Sequence, residues 1–250
     1  MRLSVILTSL SATTLISLLL WSSACQSDPA TDIRAFYFPL RQLEEGLVYE
    51  YRIPGQDSLS PDYWYYRSIA TDSALYLTKA YYQDDFLPRQ LSREEMVSNG
   101  IMLTDLFLFE TDSTGHQQQV KAEVLSPSVF PFEVQDSTIV YLYKARFSFP
   151  SQPHVSHTFI LNRRFRGFTT FQWQGEDYPA VRFSTRGVLE IRDTIQGGME
   201  PEFSGEEIYA EGLGLVSYAR SFGPEGGFRY VLQDRYPMPE LIEDAEPVLK

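Results

Sequence analysis

The chain has 250 residues, with 33 Asp and Glu against 21 Lys and Arg, three His and a single Cys. A formal charge of −12 repels phosphate backbones and anionic headgroups, so neither nucleic acid nor a lipid surface reached through a basic patch is an expected partner. One cysteine leaves no internal disulfide, and the length suffices for one large or two small domains.

In chain order, the first feature is Arg2 followed by "VILTSLSATTLISLLLW", an apolar run diluted by six Ser and Thr. A spanning helix needs ~20 predominantly apolar residues. A basic start, a short apolar centre and a small-residue end instead describe an export signal, expected over residues 1–24. It ends in Ser22, Ser23 and Ala24, directly before Cys25. Small side chains suit cleavage beside a membrane, and a thiol is a nucleophile that accepts a lipid. On the residues alone, a buried free cysteine and a soluble protein cut near Ala24 stay open.

The triplet and its cysteine resemble the bacterial lipoprotein signal, although the usual pattern has an aliphatic residue where this chain has Ser22. The resemblance implies that Cys25 is the mature N-terminus and the lipid attachment site. It also implies an exported protein held on the cell envelope, at the outer membrane, by acyl chains of the palmitate kind. One chain anchors only marginally, at ~0.8 kcal/mol per buried CH₂, and such lipoproteins carry several. Gln26, Ser27 and Asp28 resemble the polar, acidic run that Bacteroidetes-type lipoproteins use for surface export. Residues 25–35 are then a lipidated polar tether, 36–235 a single β-rich domain, and the proline-containing acidic end, 236–250, a flexible tail.

From Gly46 onward the chain alternates with period two, the mark of half-buried strands. "LVYEYRI" sets Leu47, Tyr49, Tyr51 and Ile53 against Val48, Glu50 and Arg52, and "YKARFSF" sets Tyr143, Ala145, Phe147 and Phe149 against Lys144, Arg146 and Ser148. Similar runs fall near 62–70, 74–82, 101–110, 118–125, 155–163, 170–174, 178–184, 187–195, 205–211 and 214–221. Turn signals separate them, among them "DSTG" at 112–115, "QGED" at 174–177 and "GPEGG" at 223–227. The expected fold is mainly β, an antiparallel meander forming a curved sheet or half-barrel. One short helix is expected at "SREEMVSNG", where Ser92 and Glu95 match a capping box and Asn99 with Gly100 a left-handed stop.

Sixteen Tyr, seventeen Phe and three Trp suit either a filled core or the lining of an apolar pocket. "DYWYYRSI" carries aromatics on both faces of one strand, Tyr63 and Tyr65 against Trp64 and Tyr66. His116, His154 and His157 have no Cys, Asp or Glu at metal-ligand spacing, so no metal or cofactor is expected. No G-x-S-x-G elbow is present. The paired acids Glu44-Glu45, Asp84-Asp85, Glu94-Glu95 and Glu206-Glu207 point to opposite faces of a strand and form no dyad by adjacency. An enzyme is therefore not expected, and a hydrolase whose Ser, His and acid meet only in space is the alternative that stays open. "NRRFRG" gathers Arg163, Arg164 and Arg166, suited to internal ion pairs or to a bound carboxylate or phosphate.

"EEIYAEGLGLVSYAR", 206–220, resembles a glycine-containing strand pair of secreted bacterial proteins related to the lipoprotein-carrier (LolA/LolB-like) half-barrels. The chain as a whole resembles a Bacteroidetes-type lipoprotein family. Gly212 and Gly214 fit a tight turn or bulge between Tyr209 and Tyr218. The carrier pattern's long helices are missing. These resemblances imply a lipid-anchored, non-enzymatic envelope protein whose concave sheet binds an apolar or lipid-like ligand. The alternative is a structural or interaction subunit of an envelope complex with a filled core.

Overall fold

A computed structural model of the chain describes residues 30–239 apart from 113, 136 and 137, together with residue 241. Cys25 and the expected signal segment lie outside the described residues. A two-residue strand, β1 (Thr31–Asp32), precedes two 3-10 turns, Arg34–Phe36 and Leu40–Leu43. Then follow β2 (Leu47–Arg52), β3 (Asp62–Ala70), β4 (Leu75–Tyr82), β5 (Pro88–Val97), β6 (Gly100–Thr111), β7 (Gln117–Lys121) and β8 (Glu123–Pro131). After β9 (Glu133–Val134) and β10 (Tyr141–Phe147) come the two longest strands, β11 (Val155–Trp173) and β12 (Glu176–Asp193). The last four are β13 (Gly197–Met199), β14 (Glu202–Ala210), β15 (Gly214–Ser221) and β16 (Gly227–Tyr236).

Twelve of these strands close into an antiparallel ring in the order β11-β10-β8-β6-β5-β4-β3-β2-β16-β15-β14-β12, with β12 pairing back onto β11. β7 lies beside β6, β13 beside β12, and β1 pairs with β9 off the ring. The meander expected from the sequence is present, and its curvature carries through to closure. Closure removes the open edges that a half-barrel would expose.

Because neighbouring strands alternate in direction, the inward rows can be followed to two ends of the barrel. At one end the N-terminal segment enters as a plug. Ile33 N–H donates to Phe132 O at 2.8 Å, and Ser68 Oγ donates to Leu40 O at 2.6 Å. The Tyr37 hydroxyl donates to Glu94 Oε2 at 2.5 Å. Phe38 packs on Tyr66 with ring centroids 4.3 Å apart, and Ile33, Phe36, Leu40 and Leu43 are buried with it. The projecting β11-β12 hairpin turns at Gln174 and Gly175, both with positive φ, the geometry of a type I′ turn. It brings Phe168 to 5.9 Å from Phe36, and Trp173 Nε1 donates to Gln233 O. The plug is thereby held from outside as well as from within.

Three expectations are corrected. The helix at 92–100 is absent: Pro88–Val97 is β5, joined by a tight hairpin to β6. Its inward row is polar, with Ser92 and Glu94 buried, because Glu94 meets Lys79 and Tyr37 inside the barrel. Polar residues in the inward row hide the period-two pattern. The tether is shorter than residues 25–35, since β1 is paired and Ile33 is fully buried. The domain also runs past 235, because Tyr236 ends β16 and Leu241, in a short helical stretch with residues 238 and 239, is buried.

Gly212 and Gly214 both have positive φ, as the turn between β14 and β15 requires. A Cβ on Gly214 would stand 2.5 Å from the Phe38 ring, whereas one on Gly212 would meet open space. Gly214→Ala is expected to lower the melting temperature by about 5 °C or more, and Gly212→Ala by less. Thermal unfolding followed by circular dichroism checks this, and equal losses would refute the contact with the plug.

Candidate functional site

Above the plug the barrel encloses a cavity of about 440 Å³, within the range of small-molecule sites. Its floor holds Tyr66, Leu103, Glu207 and Tyr209, all buried. Its walls carry Trp64, Leu106, Leu108, Phe147, Phe159 and Leu189. Going from the floor along the strands, the wall residues become half-exposed, so the cavity opens at the end opposite the plug. Period two explains the lining: Trp64, Tyr66 and Ser68 of β3 point inward, opposite Tyr81, Lys79 and Leu77 of β4. Tyr63 and Tyr65 face outward, with Tyr63 stacked on Phe86.

Five acidic and basic side chains, Lys79, Glu94, Arg163, Glu207 and Arg220, line this apolar space. Glu207 accepts from Arg163 Nε at 2.7 Å and from Arg220 Nη2 at 2.8 Å. Glu94 accepts from Lys79 Nζ and from the Tyr37 hydroxyl. Burial alone would raise the Glu207 pKa, but the guanidiniums of Arg163 and Arg220 outweigh it and hold the carboxyl at about 2. Burial lowers the Arg163 pKa, yet the Glu207 carboxylate more than reverses that, leaving Arg163 above the ordinary arginine value. Burial pushes the Tyr209 hydroxyl up, with Glu207 reinforcing it. Nearer the mouth, Asp62 accepts from the Tyr81 and Tyr218 hydroxyls, and burial raises its pKa against those two bonds.

The residues singled out in the sequence separate. Of the "NRRFRG" arginines, Arg163 makes the internal ion pair, while Arg164 and Arg166 project outward, where Arg166 Nε donates to Ser184 Oγ at 2.8 Å. The paired acids split as expected, with Glu207 inside and Glu206 outside, 3.1 Å from Arg229. His116 sits in the turn after β6, with Nδ1 2.8 Å from Thr114 Oγ1. His154 stands 3.9 Å from Asp193, and His157 stacks on Phe147 with its pKa lowered by burial. Among the described residues, no group of three or more His, Cys, Asp or Glu is placed to hold a metal ion. Arg220 and Lys79 are the lumen charges that the sequence analysis passed over. Their inward-row positions, two residues from Tyr218 and Tyr81, were the available signal.

Fold and site together define a class: a closed, antiparallel β-barrel, plugged at one end by its own N-terminal segment, with an apolar cavity on an ion-paired floor. No protein-family model and no curated protein sequence matches the chain. The fold is similar to that of a candidate exported protein with YmcC-like fold from Bacteroides fragilis, at TM-score 0.52 and 11% identity, over 80% of this chain and 99% of that one. A candidate lipoprotein from Parabacteroides distasonis aligns at TM-score 0.49 and 11% identity, over 80% of this chain and 98% of that one.

The Glu207 pKa has a consequence for stability. Its folded value, about 2, lies below the ordinary 4.5, so the stabilisation is fully present above about pH 4.5 and is lost as the pH falls toward 2. At neutral pH it amounts to about 3 kcal/mol. Urea unfolding of the native chain and of Glu207→Gln is expected to differ by about that much at pH 7 and to converge in strong acid. A gap independent of pH would refute it.

Proposed function

We propose that the protein is a lipid-anchored, non-enzymatic envelope protein that holds an apolar or lipid-like molecule inside its barrel. The observation carrying this reading is the cavity of about 440 Å³ with leucine and aromatic walls. A barrel serving only as a filled scaffold would close that space with side chains. Glu207, held at about pKa 2, is too acidic to act as a general acid or base near neutrality, which supports a binding role over a catalytic one. The small-residue run ending at Cys25 supports an anchor, and the fold it shares with a candidate exported protein supports export.

Organic extraction of the natively purified full chain, followed by mass spectrometry, is expected to release about one lipid-like molecule per barrel. Leu108→Trp, placed in the wall toward the mouth, is expected to reduce that yield about tenfold or more while the protein stays folded. A chain that carries no lipid, with native and variant alike, would favour the filled interaction subunit. For the anchor, Cys25→Ala is expected to release the protein from membranes or to block its processing. Unchanged membrane retention and unchanged mass would sink that assignment.

A further inference from the structure

The polar groups of the lumen are unevenly matched. At the floor three cations, Lys79, Arg163 and Arg220, stand with two carboxylates, Glu94 and Glu207, while the carboxylate of Asp62 lies nearer the mouth on the Tyr81 and Tyr218 hydroxyls. Both carboxylates are already committed: Glu207 accepts from the two arginines and, at 3.4 Å, from the Tyr209 hydroxyl, and Glu94 from Lys79 and Tyr37. A donor is left over, since Nη1 of Arg163 is buried without an acceptor. An unmatched donor and an unbalanced charge are both costly in a low-dielectric interior. One negatively charged oxygen group entering the cavity would relieve both, through charge-assisted hydrogen bonds to guanidinium.

We propose that the lumen takes a monoanionic amphiphile of the fatty-acid class. Its carboxylate lies among Arg163, Arg220 and Lys79, and its chain runs along Leu106, Leu108 and Phe159 toward the mouth. This rests on the reading of the lumen as a lipid-binding cavity and names the chemistry of what enters it. The size of the headgroup follows from where the charges sit. Arg163 lies beside Glu207 and Tyr209 at the floor, so the headgroup goes in first. A carboxylate ends the molecule at that point, whereas a phosphodiester carries a further alcohol into a floor closed by Tyr66 and the plug.

The test is calorimetric titration of the full-length chain with dodecanoate, methyl dodecanoate, dodecyltrimethylammonium and a dodecanoyl lysophosphatidylglycerol. Dodecanoate is expected to bind at least tenfold more tightly than the ester or the ammonium, which is about 1.4 kcal/mol, and more tightly than the lysophospholipid. Arg163→Met is expected to bring the acid to the ester's affinity while leaving the ester unchanged. If that variant fails to fold, the four ligands on the native chain decide the matter alone. Equal binding of acid and ester would overturn the anionic specificity and leave the lipid-binding reading standing. Tighter ammonium binding would overturn its sign, and tighter lysophospholipid binding would overturn the choice of carboxylate. Failure of all four to bind would sink this inference together with the reading beneath it.

Discussion

Barrel diameter grows with strand number, and about eight strands enclose a space that their own side chains just fill. With twelve strands in the ring, this protein has a lumen wider than its inward rows can occupy. The N-terminal segment fills one end, placing Ile33, Phe38 and Leu40 where strand residues do not reach. Aromatic pairs such as Phe38 with Tyr66 and Phe130 with Tyr209 occupy the middle. The remaining volume is the cavity. Plug, aromatic belt and cavity are thus three responses to one geometric excess.

The same excess accounts for ionised groups inside. A narrow core excludes charges because each must be desolvated without relief. Here the wider lumen leaves room for long side chains along one wall to meet, so that Arg163 of β11 and Arg220 of β15 both reach Glu207 of β14. Outside, the sheet carries charge as well: Arg182, Arg186 and Arg229 on the outer face pair with Glu202 and Glu206. A barrel that faces lipid has an apolar exterior and a polar lumen. This one has a charged exterior and a largely apolar lumen, the reverse arrangement.

Much of the fold was legible in the sequence because most inward rows are apolar. β3 and β15 coincide with the expected runs 62–70 and 214–221, and β2, β4 and β10 agree within one or two residues. β5 was hidden because its inward residues are polar, satisfied by Lys79 and Tyr37, which are far away in sequence. β16 was hidden by a bulge between Leu232 and Asp234 that breaks its alternation. Closure leaves no local mark, since it rests on β16, at the end of the meander, pairing back onto β2 at its start. The site was legible only in part: Arg163 stood out through its neighbours, but its partner Glu207 is 44 residues away and looked like one half of a solvated pair.

The pairing of Thr31 with Val134 has a consequence for orientation. It places the start of the folded domain at the plugged end, and five residues separate Cys25 from Thr31. The described chain thus enters the domain through the plug, at the end opposite the cavity's mouth.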